Sequence, residues 1–353
     1  MNIYRSLADG FGRKVTYLRI SVTDRCNLRC VYCMPEEGVK LVSHADVLSY
    51  EDILRLVNIL SVHGISKIRI TGGEPLVRKG ITRFIKDLSG IKGVNDIAMT
   101  TNGLLLEPFA AELFDAGLKR VNISLDSLKE DVFLRITRLG RLNDVLNGIY
   151  RAKEVGFYPV KVNAVLIRNI NDGEIIDFVN FARAHEFNLR FIEYMPVGLN
   201  AGETVTSKEV EDRIKEAFSG FMPLNDKSDG NLSVNASVSK DFTFSDNKAV
   251  IGFISPLSKH FCEGCSRLRL TASGKLRTCL FYDNEYDIKK LLDENNENTA
   301  GNDDIIFKYI EDALKQKKQT HLFNEKAENF KNRICSGDID TGWANDYMNK
   351  IGG

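Results

Sequence analysis

Residues 17–33 read YLRISVTDRCNLRCVYC, in which a β-rich run at 17–22 leads into a loop with cysteines at 26, 30 and 33. The pattern of a short apolar strand, a loop and an amphipathic helix then repeats as far as about residue 195. Further strands are predicted at 67–71, 97–100, 120–125, 160–165 and 190–194, with helices at 50–63, 81–88, 108–116, 142–155 and 172–185. Such alternation indicates an α/β fold with a parallel sheet and right-handed crossovers. Six units predict a partial (βα)6 TIM-like barrel, in which functional loops follow the strand ends.

A different composition begins near residue 220. Residues 225–250 are polar and rich in Ser, Asp and Asn, and three further cysteines and a tail rich in Lys, Asn and Glu follow. We therefore predict two regions. Residues 1–220 would form the barrel, and residues 221–353 would form a C-terminal extension that carries the second cysteine group and covers the barrel.

The overall charge gives no reason to expect a polyanionic partner. The 353 residues include 48 Lys or Arg and 48 Asp or Glu, so an anion site must be built locally from a few cations. The N-terminus lacks the apolar run of a secretory signal, and no stretch approaches the ~20 apolar residues of a membrane span. We predict a cytoplasmic protein that binds neither nucleic acid nor a membrane. In that compartment, clustered cysteines indicate metal ligands.

The first cysteine group has a spacing suited to an iron–sulfur cube. Cys26, Cys30 and Cys33 can bind three irons of a [4Fe–4S] cluster and leave one iron open for another ligand. The alternative is a zinc site or an isolated ferredoxin-like cluster, although zinc normally takes four ligands and no fourth lies nearby. TGGEP at residues 71–75 ends the second predicted strand, where glycines let the backbone approach a ligand closely. The plainer interpretation of TGGEP is an ordinary turn between a strand and a helix.

The second cysteine group leaves two interpretations open on spacing alone. Cys262, Cys265 and Cys279 would form a structural zinc site with His260 as the fourth ligand, or hold a second [4Fe–4S] cluster. Arg267 and Arg269 follow closely, and on an extended segment their guanidinium groups share one face. Guanidinium groups suit phosphate oxygens, although solvated charges on a β-hairpin would give the same pattern.

Two of these segments, CNLRCVYC and TGGEP, resemble the signature of the radical S-adenosylmethionine superfamily. From about residue 11 to the last residue, the order of motifs is similar to that of the GTP 3′,8-cyclase family, which opens molybdenum cofactor biosynthesis. The motifs are YLRISVTDRCNLRCVYCMP, RITGGEPLVR, TTNG, NISLDSL, KVNAV, RFIEYMPVG, FCEGCSRLRLTASGKLRTCL and the final double glycine.

The resemblance implies a radical reaction on GTP. One electron from the N-terminal cluster would cleave S-adenosylmethionine into methionine and a 5′-deoxyadenosyl radical, which takes a hydrogen atom from C3′ of the ribose. C3′ would then attack C8 of guanine, giving (8S)-3′,8-cyclo-7,8-dihydroguanosine 5′-triphosphate and 5′-deoxyadenosine. The resemblance also implies that the second group holds a second [4Fe–4S] cluster, whose free iron faces the guanine.

The same resemblance implies roles for individual residues. The cluster ligands are Cys26, Cys30, Cys33, Cys262, Cys265 and Cys279; the residues around S-adenosylmethionine are Tyr32, Gly73, Ser124 and Met195; the GTP contacts are Arg19, Arg69, Thr100, Lys161, Arg267, Leu268 and Arg269; and the catalytic residues are Arg267, Arg269, Gly352 and Gly353. GTP brings about four negative charges, which cations on several barrel strands would neutralise locally.

The resemblance implies partners as well. They are an electron donor such as flavodoxin or ferredoxin, a functional coupling to cyclic pyranopterin monophosphate synthase, and a second copy of the chain in a homodimer or monomer–dimer mixture. Two segments depart from the family pattern, at Lys79 and Gly80 and at residues 231–248, and Cys335 belongs to neither cysteine group. A peptide maturase with auxiliary clusters and a non-enzymatic metal-binding protein are the alternative functions.

Overall fold

The computed structural model describes residues 6–195, 202–224, 239–246, 248–259, 262–282, 284–294 and 300–320. Gly352, Gly353, Cys335 and the possible zinc ligand His260 lie outside these residues, so the predictions for them stay predictions. Within the described ranges, no helix has the length and hydropathy needed to cross a membrane.

All six predicted strands are present and lie in chain order in one sheet. They are β1 (Tyr17–Ser21), β2 (Lys67–Thr71), β3 (Asp96–Thr101), β4 (Arg120–Ser124), β5 (Lys161–Leu166) and β6 (Asn188–Glu193). Each strand pairs in parallel with the next. The predicted partial (βα)6 barrel is confirmed.

Six helices connect these strands. They are α1 (Tyr50–Ser61), α2 (Ile81–Ser89), α3 (Leu106–Asp115), α4 (Glu130–Thr137), α5 (Leu142–Glu154) and α6 (Ile175–His185). Of these helices, α4 is not among those predicted from the sequence. This helix has only 8 residues, and apolar periodicity over two turns is too short to distinguish a helix from a loop.

Alternation along each strand gives the sheet two chemically different faces. Leu18 and Ile20 of β1 belong to the hydrophobic core that the strands share with the helices. Tyr17 and Arg19 alternate with them and therefore point to the opposite face, which we call the inner face. The same alternation holds along β2 to β6, so polar side chains on these strands converge on the inner face.

The C-terminal residues extend this sheet at both sides rather than only covering it. Their elements are α7 (Ser207–Ala217), β7 (Met222–Pro223), β8 (Ser239–Thr243), β9 (Val250–Ile254), β10 (Arg267–Leu270), β11 (Lys275–Arg277), β12 (Tyr286–Asp287), α8 (Ile288–Glu294) and α9 (Ala300–Lys315). β10 pairs in parallel with β1, and β9 pairs in parallel with β6. The strand order is β12-β11-β10-β1-β2-β3-β4-β5-β6-β9-β8-β7. The predicted boundary between residues 220 and 221 thus falls within one continuous sheet and stays a prediction.

Candidate active site

Three arginines form a row across neighbouring strands on the inner face. Parallel pairing places Arg269 of β10 opposite Arg19 of β1, and Arg19 opposite Arg69 of β2. Burial lowers the pKa of Arg19 well below its ordinary value, and the adjacent Arg269 lowers it further. Burial, with Arg267 as the second cause, lowers the pKa of Arg269 to about 10. Buried like charges at such proximity destabilise one another, which an anion bound between them would relieve.

Tyr17 belongs to the same part of the inner face. It lies opposite Arg267 on one side and Lys67 on the other, and its ring centroid is 5.9 Å from the guanidinium carbon of Arg69. Burial raises the pKa of Tyr17, but Arg69, Arg19 and Arg267 outweigh it, so the net shift is downward. The phenol therefore lies in a strongly positive environment.

A second basic group lies across the inner face on β5 and β6. Burial, with Arg190 as the second cause, lowers the pKa of Lys161 to about 7, and burial also lowers the pKa of Arg190. Asn122 lies opposite Lys161, and Asn163 lies opposite Arg190. The Oδ1 atoms of these two asparagines are buried and have no hydrogen-bond partner among the described residues. Buried acceptors of this kind are normally paired, so a bound ligand or an ordered water supplies the donors.

The first three cysteines lie on a loop after β1, residues 22–34, which we call the cluster loop. The amide N–H of Leu28 donates to Cys26 Sγ over 3.4 Å, and Asn102 Nδ2 lies 3.8 Å from the same sulfur. Burial, followed by the neighbouring Cys33, raises the pKa of the Cys30 thiol well above its ordinary value. Each sulfur thus lies within electrostatic reach of another sulfur, and N–H groups point at one of them, as expected for cluster ligands.

Helix α4 holds the cluster loop from outside. The carbonyls of Ile136 and Thr137 accept from the amides of Val31 and Arg29 over 2.9 and 3.0 Å. Arg138, the residue after α4, donates from Nη1 to the carbonyls of Arg29 and Met34 over 2.8 and 3.1 Å. The last turn of α4 and Arg138 therefore fix the path of the chain from Arg29 to Met34, which carries Cys30 and Cys33.

The glycines of TGGEP are required by the cluster loop itself. A Cβ added to Gly73 would lie 2.3 Å from the carbonyl O of Arg25, and one on Gly72 would lie 2.5 Å from that of Thr23. The amide of Gly73 donates to the carbonyl O of Thr23 over 2.7 Å, and the amide of Glu74 donates to that of Arg25 over 2.8 Å. The two loops therefore pack backbone to backbone, which leaves no room for a side chain. The close approach that the structure shows is therefore to the cluster loop, and the approach to a ligand predicted from the glycines stays a prediction.

Glu74 connects this contact to the next strand end. It is fully buried, and burial raises its pKa to about 7. Its Oε1 accepts from Thr101 Oγ1 over 2.8 Å, and its Oε2 accepts from the amide of Asn102 over 2.7 Å. Asn102 in turn contacts Cys26 and donates to Asn27 Oδ1 over 2.7 Å. TGGEP and TTNG thus act together as a support for the cluster loop.

Tyr32 is fixed by a buried carboxylate. Its hydroxyl donates to Asp126 Oδ2 over 2.7 Å, and Asp126 Oδ1 accepts from the amide of Val165 over 2.8 Å. Burial raises the pKa of Asp126 to about 6 and, together with Asp126, raises that of Tyr32 well above its ordinary value. Asp126, in the SLDS segment, therefore positions a residue predicted to line the cofactor.

The second cysteine group lies beside the arginine row. One residue, Ser266, separates Cys265 from β10. The amide of Cys265 donates to the carbonyl O of Cys262 over 3.1 Å. Burial raises the pKa of Cys265, but Lys317 and Arg267 outweigh it and the net shift is downward. Cys279 packs in a small apolar cluster with Phe281, Leu257, Leu280 and Met195.

The described cysteines suit iron–sulfur clusters by their donor chemistry. None of the six forms a disulfide. Among the described residues, no three Cys, His, Asp or Glu side chains are arranged around a single metal ion. A four-iron cube binds each thiolate at a different iron, so its ligands need not meet at one point.

The predicted site residues fall into three places. On the inner face lie Arg19, Arg69, Thr100, Ser124, Lys161, Arg267 and Arg269, and Arg69 Nη1 donates to Thr100 Oγ1 over 3.5 Å. Tyr32 and Gly73 belong to the cluster loop and its support. The side chain of Leu268 is buried in the core, on the face of β10 opposite Arg267 and Arg269, and its predicted contact with GTP stays a prediction. Met195 packs against Phe281, as Cys279 does.

Several residues that the structure places at the site are not predicted by the sequence motifs. They are Tyr17, Lys67, Glu74, Asn102, Asn122, Asp126, Asn163, Arg190 and Lys317. Most could have been found by extending the strand alternation, since Arg190 alternates with apolar residues as Lys161 does. Lys317 has no such signal, because its position depends on packing between distant segments.

Comparisons with known proteins show which family the chain belongs to. Residues 20–182 match the family described as the radical SAM superfamily, and residues 187–323 match Molybdenum Cofactor Synthesis C. A protein of Thermodesulfovibrio yellowstonii named GTP 3′,8-cyclase is 51% identical over 81% of this chain and 88% of its own length. A protein of the same name from Clostridium botulinum is 42% identical over 91% of this chain and 96% of its own.

The chain belongs to the GTP 3′,8-cyclase family. Its cofactors are accordingly S-adenosylmethionine and a [4Fe–4S] cluster. Among solved structures, Streptococcus suis SuiB bound to S-adenosylmethionine superposes with a TM-score of 0.56, over 80% of this chain and 66% of that chain. At 16% identity this likeness concerns the fold alone. Membership of the GTP 3′,8-cyclase family, in contrast, rests on relatives that are 42–51% identical over most of the chain.

Proposed function

We propose that this chain is a GTP 3′,8-cyclase, which converts GTP into (8S)-3′,8-cyclo-7,8-dihydroguanosine 5′-triphosphate in the first step of molybdenum cofactor biosynthesis. The observation that carries the proposal is the arginine row, Arg269, Arg19 and Arg69, in register on three strands beside the second cysteine group. This row, together with the family membership of the chain, favours an anionic nucleotide over a peptide as the substrate.

The inner face supplies the charges that a triphosphate needs. Arg19, Arg69 and Arg269 lie on one side of this face, and Lys161 and Arg190 lie on β5 and β6. Burial lowers the pKa values of Arg19, Lys161 and Arg190, and repulsion from neighbouring cations lowers them further. A bound triphosphate, with about four negative charges, would stabilise them all.

The cluster loop is the proposed site of radical generation. Cys26, Cys30 and Cys33 would hold a [4Fe–4S] cluster, whose electron cleaves S-adenosylmethionine and yields a 5′-deoxyadenosyl radical. The protein's own task is to position the reactants, because such a radical takes hydrogen from any nearby C–H bond. The supports of the loop, Glu74 and Arg138, serve that precision.

The substrate would lie between the two cysteine groups. In this arrangement Cys262, Cys265 and Cys279 hold a second cluster, and Arg267 and Arg269 contact the nucleotide. The unpaired Oδ1 atoms of Asn122 and Asn163 are available to accept from ribose hydroxyls or from the guanine N–H groups. Closing the ring breaks the C3′–H bond and forms the C3′–C8 bond, after which one electron and one proton complete the product.

Iron counting and an isotope experiment test the proposal. We expect about eight irons per chain after anaerobic reconstitution, from two four-iron cubes. With S-adenosylmethionine, a reductant and GTP deuterated at C3′, deuterium should appear in 5′-deoxyadenosine. Formation of 5′-deoxyadenosine at the same rate without GTP, or without transfer of deuterium, would contradict the assignment. Arg19→Met should bind both clusters and lose GTP-dependent turnover.

The partners follow from the same chemistry. A one-electron donor such as flavodoxin or ferredoxin would reduce the first cluster, and cyclic pyranopterin monophosphate synthase would use the product. A homodimer or monomer–dimer mixture and a cytoplasmic location complete the proposal. Size-exclusion chromatography with light scattering at several protein concentrations tests the oligomeric state.

A further inference from the structure

Lys317 is a buried cation that the reaction proposed above does not use. It lies two residues after α9, and only 4% of its surface is exposed. Its Nζ donates to the carbonyl O of Arg267 over 2.8 Å and lies 3.5 Å from both the carbonyl O and the Sγ of Cys265. All three contacts are on the short segment that leads from the second cysteine group into β10.

The placement of this ammonium group needs a physical reason. Removing an ammonium group from water is costly unless nearby groups replace its hydrogen bonds and balance its charge. Two carbonyl oxygens replace hydrogen bonds, and a cysteine thiolate is a negative partner that accepts through sulfur. The charge of Lys317 is therefore directed at one cysteine of the group.

Arg13 makes a parallel set of contacts without touching sulfur. Its side chain is 10% exposed and pairs with Asp9. Nη1 donates to the carbonyl O of Cys262 over 2.7 Å, and both Nη atoms donate to carbonyls just after Lys317, at residues 318 and 319. Arg13 and Lys317 thus join the same segments, but only Lys317 reaches a sulfur atom.

We propose that Lys317 is a positioning residue for the second cluster, which it orients through Cys265 and whose reduced state it stabilises. This inference rests on the proposed function, since it takes the second cysteine group to hold a [4Fe–4S] cluster. Hydrogen bonds to ligand sulfurs and nearby charges set the reduction potential of such clusters. Reduction adds one negative charge, so an ammonium group beside Sγ favours the reduced form and raises the potential.

A redox titration followed by electron paramagnetic resonance tests this role. The full-length chain with Cys26→Ser, Cys30→Ser and Cys33→Ser is used, so that only the second cluster contributes a signal. In this background we expect Lys317→Met to shift the midpoint potential to a more negative value and Lys317→Arg to leave it close to that of the parent. Arg13→Met is the matched control, with an unchanged midpoint but faster loss of iron to a chelator.

Lys317→Gln keeps an N–H donor without the charge, and its midpoint should fall between those of Lys317→Met and the parent. If Lys317→Met binds too little iron to titrate while Lys317→Arg and Lys317→Gln retain the cluster, the positioning role is supported. Two results would overturn the role of Lys317. One is a midpoint potential in Lys317→Met equal to that of the parent, and the other is equal loss of iron from Lys317→Met, Lys317→Arg and Lys317→Gln. A triple-serine background that binds no iron overturns the proposed second cluster itself, and the role of Lys317 with it.

Discussion

At the scale of single residues, Gly73 shows how a motif can serve a different partner from the one its chemistry suggests. Glycine in TGGEP predicts that something approaches the backbone closely. The structure identifies that partner as the carbonyl O of Arg25 in the cluster loop. The residue type could be interpreted from sequence, but its partner could not, because the contact joins segments nearly fifty residues apart.

Gly73→Ala should therefore dislodge the first cluster. Its Cβ would lie 2.3 Å from a backbone oxygen, so the cluster loop must shift, at a cost of about 1–3 kcal/mol. Anaerobic reconstitution should give roughly half the iron of the wild type, since only the second cube is retained. Gly173→Ala is the control, because a Cβ there meets nothing within 4 Å. Full iron in Gly73→Ala would show that the loop tolerates the shift.

Lys161 gives the site a measurable dependence on pH. Its pKa of about 7 in the free protein means that it is mostly neutral at pH 8. A triphosphate beside it would raise the pKa, so binding of GTP at pH 8 should take up about one proton. Isothermal titration calorimetry in two buffers of different ionisation enthalpy measures this uptake. Lys161→Arg keeps its charge at pH 8 and should bind GTP without it, whereas equal uptake in both proteins would refute the link to Lys161.

At the scale of secondary-structure elements, β10 shows what strand alternation can predict. The spacing of Arg267 and Arg269 predicted that both side chains share one face, and the structure places both on the inner face. The pairing of β10 with β1 was not predicted, since neither strand carries a local signal for a parallel partner so far away in sequence. The row that joins Arg269 to Arg19 depends on this pairing.

Helix α4 leads to a testable prediction at this scale. Arg138 after α4 donates to the carbonyls of Arg29 and Met34, and charged hydrogen bonds of this kind contribute about 1.5–3 kcal/mol. Arg138→Gly removes them without adding backbone strain, because Arg138 has a φ of 60°. Iron should transfer to a chelator roughly tenfold faster or more.

The control for the Arg138 variants is Arg141→Ala. The side chain of Arg141 is 74% exposed and contributes little to the fold. Arg138→Ala separates the loss of the hydrogen bonds from the change in backbone strain. It loses the same hydrogen bonds as Arg138→Gly but keeps an L side chain at positive φ. Release of iron from Arg138→Gly at the rate seen for Arg141→Ala would show that α4 does not hold the cluster loop.

At the scale of the whole molecule, the sequence predicted the barrel and both cysteine groups but not how the two regions join. The strand periodicity of residues 17–194 is local, so the six units could be predicted directly. β9 and β10 lie far along the chain from β6 and β1, and no local pattern in their sequences identifies a partner strand. Their places beside β6 and β1 follow from long-range burial, which one sequence does not reveal.

The continuous sheet predicts that residues 1–220 do not fold independently. Without β9 and β10, both β1 and β6 would become edge strands with unpaired backbone groups and exposed apolar side chains. Residues 1–220 expressed alone should be recovered mainly as aggregate, while the full-length chain unfolds in one calorimetric transition. A soluble, cooperatively folded fragment would show that the boundary separates two folding units.

The pairing of β1 with β10 also has a consequence for synthesis on the ribosome. Tyr17 pairs with Arg267, which the ribosome adds roughly 250 residues later. At about 5–20 residues per second, β1 spends on the order of 10–50 s without one of its neighbours. During that interval the nascent chain exposes a strand edge and several uncompensated arginines, so chaperone occupancy should be highest before the second cysteine group leaves the exit tunnel.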